Sequence, residues 1–295
     1  MVHGKPFDGI ADGFDHTGGK ARKPQKNTFQ KIAAVPHSVW TVMFIVAPML
    51  FVLYFAFTDA SGNFSLSNIA GLSQYTNVFI LSIAFALIAT VVCLLIGYPV
   101  SYIMSREGEK FQRVAMVLIM LPMWMNFLVR TYSLTQLLDN NGLINQILSA
   151  IGIPRVQFLG SPAAVILGMV YNYLPFMVLP IYTGLSKIDR RYLEASMDLG
   201  CTPLQTIFKV VLPLSISGVI SGITMVFVPS ISTFYISQKL GGGSFDLIGD
   251  TIERQFQNAV TYHTGAAISL VMMILIFISL AVMNKFSDGG EDIIV

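Results

Sequence analysis

Few side chains in this sequence are placed to make or break a covalent bond. The four histidines (His3, His16, His37, His263) are scattered, and Cys93 and Cys201 belong to no CxxC or Cys/His cluster. Neither a disulfide framework nor a metal set is therefore expected. No GxxxxGK(S/T) loop occurs, which excludes ATP binding by that route. What remains is non-covalent. Polar and aromatic residues interrupt long apolar runs: Trp124, Asn126, Tyr171, Asn172, Tyr173, Phe234 and Tyr235. Asp139, Asp250 and Glu253 lie near the ends of such runs. These types can line a path for a solute, but they also anchor helices at interfaces and bridge one helix to another.

A second constellation is mechanical. Residues 187–218 read KIDRRYLEASMDLGCTPLQTIFKVVLPLSISG. Asp189 is placed to cap a helix running from Arg190 to Leu199, with Tyr192, Leu193, Ala195, Ser196 and Leu199 as an apolar or small face. Gly200 supplies a left-handed stop. Thr202 caps the next helix, with Pro203 at its first position and Gln205 completing a capping box. The small residues Ala195 and Ser196 let another surface come close. The pattern predicts a compact helix–turn–helix knob.

The elements that must hold these residues are membrane helices. Of 295 residues, 54% are hydrophobic and only 12% are charged, and the charges fall in short stretches between apolar runs. Six runs reach the roughly 20 residues that cross a hydrocarbon core: about 39–57, 78–104, 114–138, 163–185, 210–237 and 264–284. The second and fifth are long enough to imply tilt or a break. Pro48, Pro99, Pro122, Pro175, Pro180, Pro213 and Pro229 fall inside the runs, which suggests a bundle shaped around a pathway. With the N-terminus inside, 14 of the 18 basic residues collect on inner segments and three on outer loops. That asymmetry places both termini and the knob in the cytoplasm. A net charge of +2 gives no argument for nucleic acid.

The spans carry no Asp, Glu, Lys or His in their central portions, so no coupling-ion site is visible for a secondary carrier. Arg130 is the one charge within a span. A structural role is expected for it, snorkelling outward or pairing with an outer acid such as Asp139; contact with an external protein is the alternative. Gly241, Gly242 and Gly243 make a flexible outer loop, a hinge or a docking element.

The spacing of the knob resembles the EAA loop of ABC importer permeases: Glu-Ala-Ala, three residues, Gly, nine residues, Ile, any residue, Leu-Pro. Glu194, Ala195, Gly200, Leu212 and Pro213 stand at matching positions, while Ser196 replaces the second alanine and Val210 the isoleucine. Cys201 stands where an alanine often follows the glycine. The segments LPMWMNFLVRTYSL (121–134), NYLPFMVLPIYTGLSKIDRRYLEAS (172–196) and LIGDTIERQFQNA (247–259) are similar to spermidine/putrescine permeases of the PotB type, over most of 40–285.

The resemblance implies an all-α, type I importer permease in the inner membrane, a multi-pass transport subunit with no cofactor and no enzymatic activity of its own. Residues 36–287 would form the permease domain with a coupling loop at 186–209, between a disordered cytoplasmic tail over 1–35 and a short tail over 288–295. Implied partners are a second, similar permease, two cytoplasmic ATPase subunits that hydrolyse ATP, an external substrate-binding protein and the bilayer. Arg191, Leu193, Glu194, Ala195, Ser196, Asp198, Leu199, Gly200 and Pro203 would meet the ATPase. Trp124, Asn126, Tyr171, Asn172, Tyr173, Phe234, Tyr235, Asp250 and Glu253 would line the pathway, since aromatic faces and carboxylates suit an organic cation. The expected solute is spermidine or putrescine. The alternatives are another organic cation, an amino-acid-like solute or, in a different class, an ion-coupled secondary transporter.

Overall fold

The computed structural model describes the backbone of residues 28–59, 61–258 and 260–291, with side chains within 35–285. Most of the expected N-terminal tail lies outside the described residues, as does 292–295. The backbone is already helical at Thr28, ahead of the boundary expected at 35, and it is still helical at Glu291. Among the described residues all regular structure is helical, apart from an isolated bridge between Thr58 and Phe64.

Two units are distinguished, one ending at Leu50 and one starting at Phe51. The first contains α1 (Thr28–Thr41) and a π turn at Val42–Val46, followed by the start of α2 (Ala47–Ala56). Its apolar residues Trp40, Met43, Phe44 and Leu50 are exposed, as suits a surface solvated by lipid.

The second unit continues through α3 (Ser67–Ala70), α4 (Thr76–Arg106), α5 (Glu109–Trp124), α6 (Phe127–Leu138), α7 (Leu143–Ala150) and α8 (Pro162–Ser186). It goes on with α9 (Arg190–Asp198), α10 (Pro203–Thr206), α11 (Leu212–Leu214), α12 (Ile216–Ile231), α13 (Tyr235–Leu240), α14 (Ile248–Gln257) and α15 (Tyr262–Glu291). Four helical stretches are long and apolar enough to cross a membrane unaided: Val35–Ala56, Ser67–Arg106, Pro162–Ser186 and Tyr262–Lys285. Two bent pairs, Glu109–Trp124 with Phe127–Ala150 at 94° and Pro203–Leu214 with Ile216–Ile231 at 71°, bring the candidates to six if each pair is one crossing.

Four of the six expected spans fall on continuous helices, and the third and fifth fall on the two bent pairs. The third, expected as one rod over 114–138, leaves the helix at Met125 and Asn126, whose ψ angles of 146° and 131° are extended. Pro122 weakens the last turn of α5 by removing a backbone donor, and Asn126 starts α6 by accepting from the Leu128 N–H at 2.8 Å. The fifth, expected over 210–237, bends at Ser215 and ends at Ile231. Phe234 and Tyr235 therefore sit at a junction between helices. A π turn at Ile207–Val211 precedes Pro213 just as the one at Val42–Val46 precedes Pro48. In both places the wider turn relieves the clash of a proline ring with the preceding carbonyls. The other prolines inside the runs (Pro99, Pro175, Pro180 and Pro229) remain within continuous helices.

The core lies where α4, α8 and α12 pack together, with Ala89, Cys93, Met169, Met177, Ile181 and Val226 fully buried. In a membrane, close approach of backbones substitutes for a hydrophobic driving force between helices. Gly218 and Gly222 supply it here, four residues apart on α12. A Cβ at Gly218 would lie 2.7 Å from the Pro180 carbonyl oxygen, and one at Gly222 would lie 2.8 Å from the Met177 sulfur. Because the obstacle at Gly218 is backbone, Gly218→Ala is expected to push α12 from α8 and cost about 1–3 kcal/mol. Thermal unfolding of the detergent-solubilised protein reads this as a lowered midpoint. An unchanged midpoint would show that α12 is free to shift.

Candidate functional site

The knob folds as its local residues dictate. The Asp189 carboxylate accepts from the Arg191 N–H at 3.0 Å and starts α9. At the far end Gly200 takes φ +86°, its N–H donates to the Met197 carbonyl at 2.9 Å, and the Cys201 N–H donates to the Ser196 carbonyl at 3.1 Å. This pair of bonds is a Schellman motif. The capping box also forms: the Thr202 N–H donates to Gln205 Oε1 at 2.9 Å, and the Gln205 N–H donates to Thr202 Oγ1 at 3.4 Å. Arg191, Glu194, Ala195, Asp198, Leu199, Gly200 and Pro203 are exposed and Leu193 is half-buried.

Ser196 departs from expectation. It is buried, donating within the knob to the Leu193 carbonyl and meeting the Thr206 hydroxyl at 2.8 Å. The apolar stripe expected on α9 divides accordingly. At about 100° per residue, Leu193 and Ser196 turn inward while Tyr192, Ala195 and Leu199 turn out. Ser196 thus clamps α9 to α10 rather than offering a close-approach surface to a partner. The outer face is more apolar than the sequence reading supposed: Leu199 is 87% exposed, Leu204 68% and Phe208 65%. Leu204 and Phe208 were missed, although their i, i+4 spacing after the Thr202 cap was the available signal.

The expected pathway residues fall into separate groups. Trp124 is exposed at the end of α5, Asn126 caps α6, and Tyr171 is exposed on α8. Asn172 belongs to a buried network. Its Oδ1 accepts from Arg130 Nε at 2.7 Å, and its Nδ2 donates to the Gly168 carbonyl at 2.9 Å and to Thr131 Oγ1 at 3.3 Å. No atom of its amide is left for a solute, so Asn172 is a structural bridge. Tyr173 is also buried, donating to the Pro229 carbonyl at 3.4 Å. Arg130 is buried as well and pairs with no acid among the described residues. Its Nη1 donates to the Pro122 carbonyl at 2.9 Å. The expected partner, Asp139, instead holds the turn into α7 by accepting from the Asn141 N–H.

Phe234 and Glu253 do come together. They share a groove of about 420 Å³ with Ser232, Gly249, Ile252 and Phe277. The Glu253 carboxylate accepts from the side-chain amides of Gln238 and, at 3.1 Å, of Gln257. Asp250 was expected as an outer acid open to a cation. It is buried, with Oδ2 accepting from the Leu247 N–H at 2.9 Å to start α14 and the Ser237 hydroxyl beside the carboxylate. Burial pushes its carboxyl pKa up. The Tyr235 ring lies 6.2 Å from that of Phe127, tilted by 54°, and under Lys239 at 5.7 Å; Phe127 is not among the expected pathway residues.

Comparison with known proteins agrees with this architecture. The family profile "Binding-protein-dependent transport system inner membrane component" matches residues 97–290. The spermidine/putrescine transport system permease protein PotB of Haemophilus influenzae is 36% identical, covering 85% of this chain and 93% of that protein. The PotB of Escherichia coli K12 is also 36% identical, covering 84% and 94%. Among solved structures, a bacterial ABC transporter involved in the import of the acidic polysaccharide alginate superposes with a TM-score of 0.69. It has 17% identity and covers 88% of this chain and 95% of that one, a likeness of fold. The chain therefore belongs to the binding-protein-dependent transport system inner membrane components, as a multi-pass permease subunit of an ABC transporter in the inner membrane.

Proposed function

We propose that this chain is one permease of a spermidine/putrescine importer, paired with a second permease, two cytoplasmic ATPase subunits and an external binding protein. The observation that carries the reading is 36% identity to spermidine/putrescine permeases over 93–94% of their length. The knob, over 186–209, is the coupling element. Its capped helices make a rigid lever, and its exposed Leu199, Leu204 and Phe208 need a covering partner in water. Arg191, Glu194, Asp198, Gly200 and Pro203 surround that apolar face. ATP-driven closure of the ATPases would swing α4, α8 and α12 between two states of access.

The pathway reading keeps Trp124, Asn126, Tyr171, Phe234, Tyr235 and Glu253. An aromatic face receives a methylene-spaced ammonium chain with about 0.5–2 kcal/mol per contact. Weak, transient contacts of this kind leave selectivity to the external binding protein.

Deleting this chain from a strain with no redundant importer is expected to abolish radiolabelled spermidine and putrescine uptake, and restoring the chain should restore it. Unchanged polyamine uptake, with loss of another solute's uptake, would reject the substrate and leave the permease assignment intact.

Orientation is tested separately. An impermeant thiol reagent added from outside is expected to miss Arg191→Cys in a background lacking Cys93 and Cys201. Labelling at that site would reverse the topology.

A further inference from the structure

We propose that Arg106 and Arg190 form a brace that ties the knob to the end of α4, so that a push on the knob moves α4 and is not absorbed in the linker at 187–189. This inference rests on the coupling role proposed for the knob.

Each arginine donates to a backbone carbonyl on the other side of the joint between α4 and α9. Arg190, in the first turn of α9, donates from Nη2 to the Arg106 carbonyl at 2.7 Å. That oxygen is one of the last carbonyls of α4, which has no partner within its own helix and carries the negative end of the helix dipole. Arg106 in turn donates from Nη1 to the Ile188 carbonyl at 3.4 Å, one residue before the cap of α9. The stem of Arg106 is steadied by its guanidinium standing 5.6 Å over the Tyr102 ring, one turn earlier on α4. Ile188 is buried, so the linker it belongs to is anchored on the bundle side as well.

A second tie runs beside the first. Gln112 of α5 donates from Nε2 to the Glu107 carbonyl at 2.8 Å, and its Oε1 accepts from the Tyr182 hydroxyl of α8 at 2.9 Å. The end of α4, the start of α5, the last turns of α8 and the first turn of α9 therefore meet in one polar knot.

The mechanical consequence follows from the linker. Lys187–Asp189 is three residues of non-helical chain between α8 and α9. Joined by chain alone, α9 would pivot about those residues and pass little displacement to the bundle. The crossed bonds remove that pivot. They deliver the displacement to α4, which is packed against both α8 and α12, with Gly97 set against Met177 and Val178 of α8. The two bonds also act as a unit, because each fixes the backbone that presents the acceptor for the other.

The test uses the complete complex in proteoliposomes with its binding protein. The readouts are solute transported per ATP hydrolysed, ATPase co-purification and membrane abundance. Arg190→Gln, at an exposed position, is expected to lower transport per ATP by at least about threefold with the ATPase still bound. Arg190→Lys, which retains a cationic donor for the Arg106 carbonyl, is expected to recover most of the ratio. Arg106→Gln should resemble Arg190→Gln, and the double variant should be no worse than either single one.

A normal transport ratio in abundant Arg190→Gln protein would overturn the brace, as would a double variant whose loss is the product of the two single losses. If Arg106→Gln fails to accumulate, the Arg190 pair decides alone. Should variants of Gly200 also leave docking and transport untouched, the coupling role of the knob would be what has failed.

Discussion

Gly200→Val is expected to abolish ATP-coupled transport while the permease remains in the membrane. Gly200 holds φ +86° at the end of α9, where a β-branched residue meets its own backbone. A Cβ there would find no other atom within 4 Å, so the effect is conformational and owes nothing to crowding. The strain is about 1–3 kcal/mol. It falls on the residue whose N–H closes the Schellman motif, so relief opens the joint between α9 and α10 and turns Leu199 away from Leu204. A graded series separates this from general damage. Asn, which tolerates the left-handed region, should keep most activity, Ala should be intermediate and Val worst. Glu194→Arg, exposed and without an ion pair among the described residues, should leave the knob folded and act only on the docking face. ATPase co-purification and substrate-stimulated ATP hydrolysis are the readouts, with membrane abundance measured alongside. Normal values for both in an abundant Gly200→Val protein would remove the knob from the coupling path.

The knob was legible because everything that shapes it is local. Asp189, Gly200, Thr202 and Gln205 act on backbone groups no more than three residues away, and their residue types state their roles. The face of α9 was harder to read. Which stripe turns inward depends on Thr206 receiving Ser196, a matter of how two short helices cross. The candidate spans were legible because hydropathy averages over some twenty residues. The same averaging hid the break at Met125–Asn126, where two residues leave the helix inside an unbroken apolar run, whereas the length of the fifth run had already offered tilt or a break, and it bends at Ser215. The prolines pointed to shaped helices without saying which would break. Pro122 and Pro213 lie beside breaks, whereas Pro99, Pro175 and Pro180 sit in continuous α4 and α8. The partners of Arg130 were beyond reach, because a buried polar group is satisfied by whatever tertiary packing brings near it. For Arg130 that is an amide 42 residues away.

Replacing Arg130 is therefore expected to damage the fold of the broken third span more than any exchange with a substrate. Its planar fork holds two acceptors at once, the Asn172 Oδ1 at 2.7 Å and the Pro122 carbonyl at 2.9 Å. The Pro122 carbonyl belongs to the last turn of α5, where it also accepts from the Met125 N–H at 3.3 Å in place of a regular helical donor. Arg130→Met keeps the apolar stem but leaves Asn172 Oδ1 unpaired in a buried setting, costing about 1–3 kcal/mol, and strips the Pro122 carbonyl of one of its two donors. Arg130→Lys can reach one of the two but cannot present two parallel donors, so it should fall between Met and the native residue. Adding Asn172→Leu to Arg130→Met removes the orphaned acceptor. The double variant should then be destabilised by less than the sum of the single variants. Asp139→Asn, which touches neither group, should leave Arg130 undisturbed and serve as the control for an outer ion pair. Thermal unfolding in detergent across these variants forms the cycle. Strict additivity of Arg130→Met with Asn172→Leu would dissolve the network, and a large loss from Asp139→Asn that depends on Arg130 would restore the ion pair in its place.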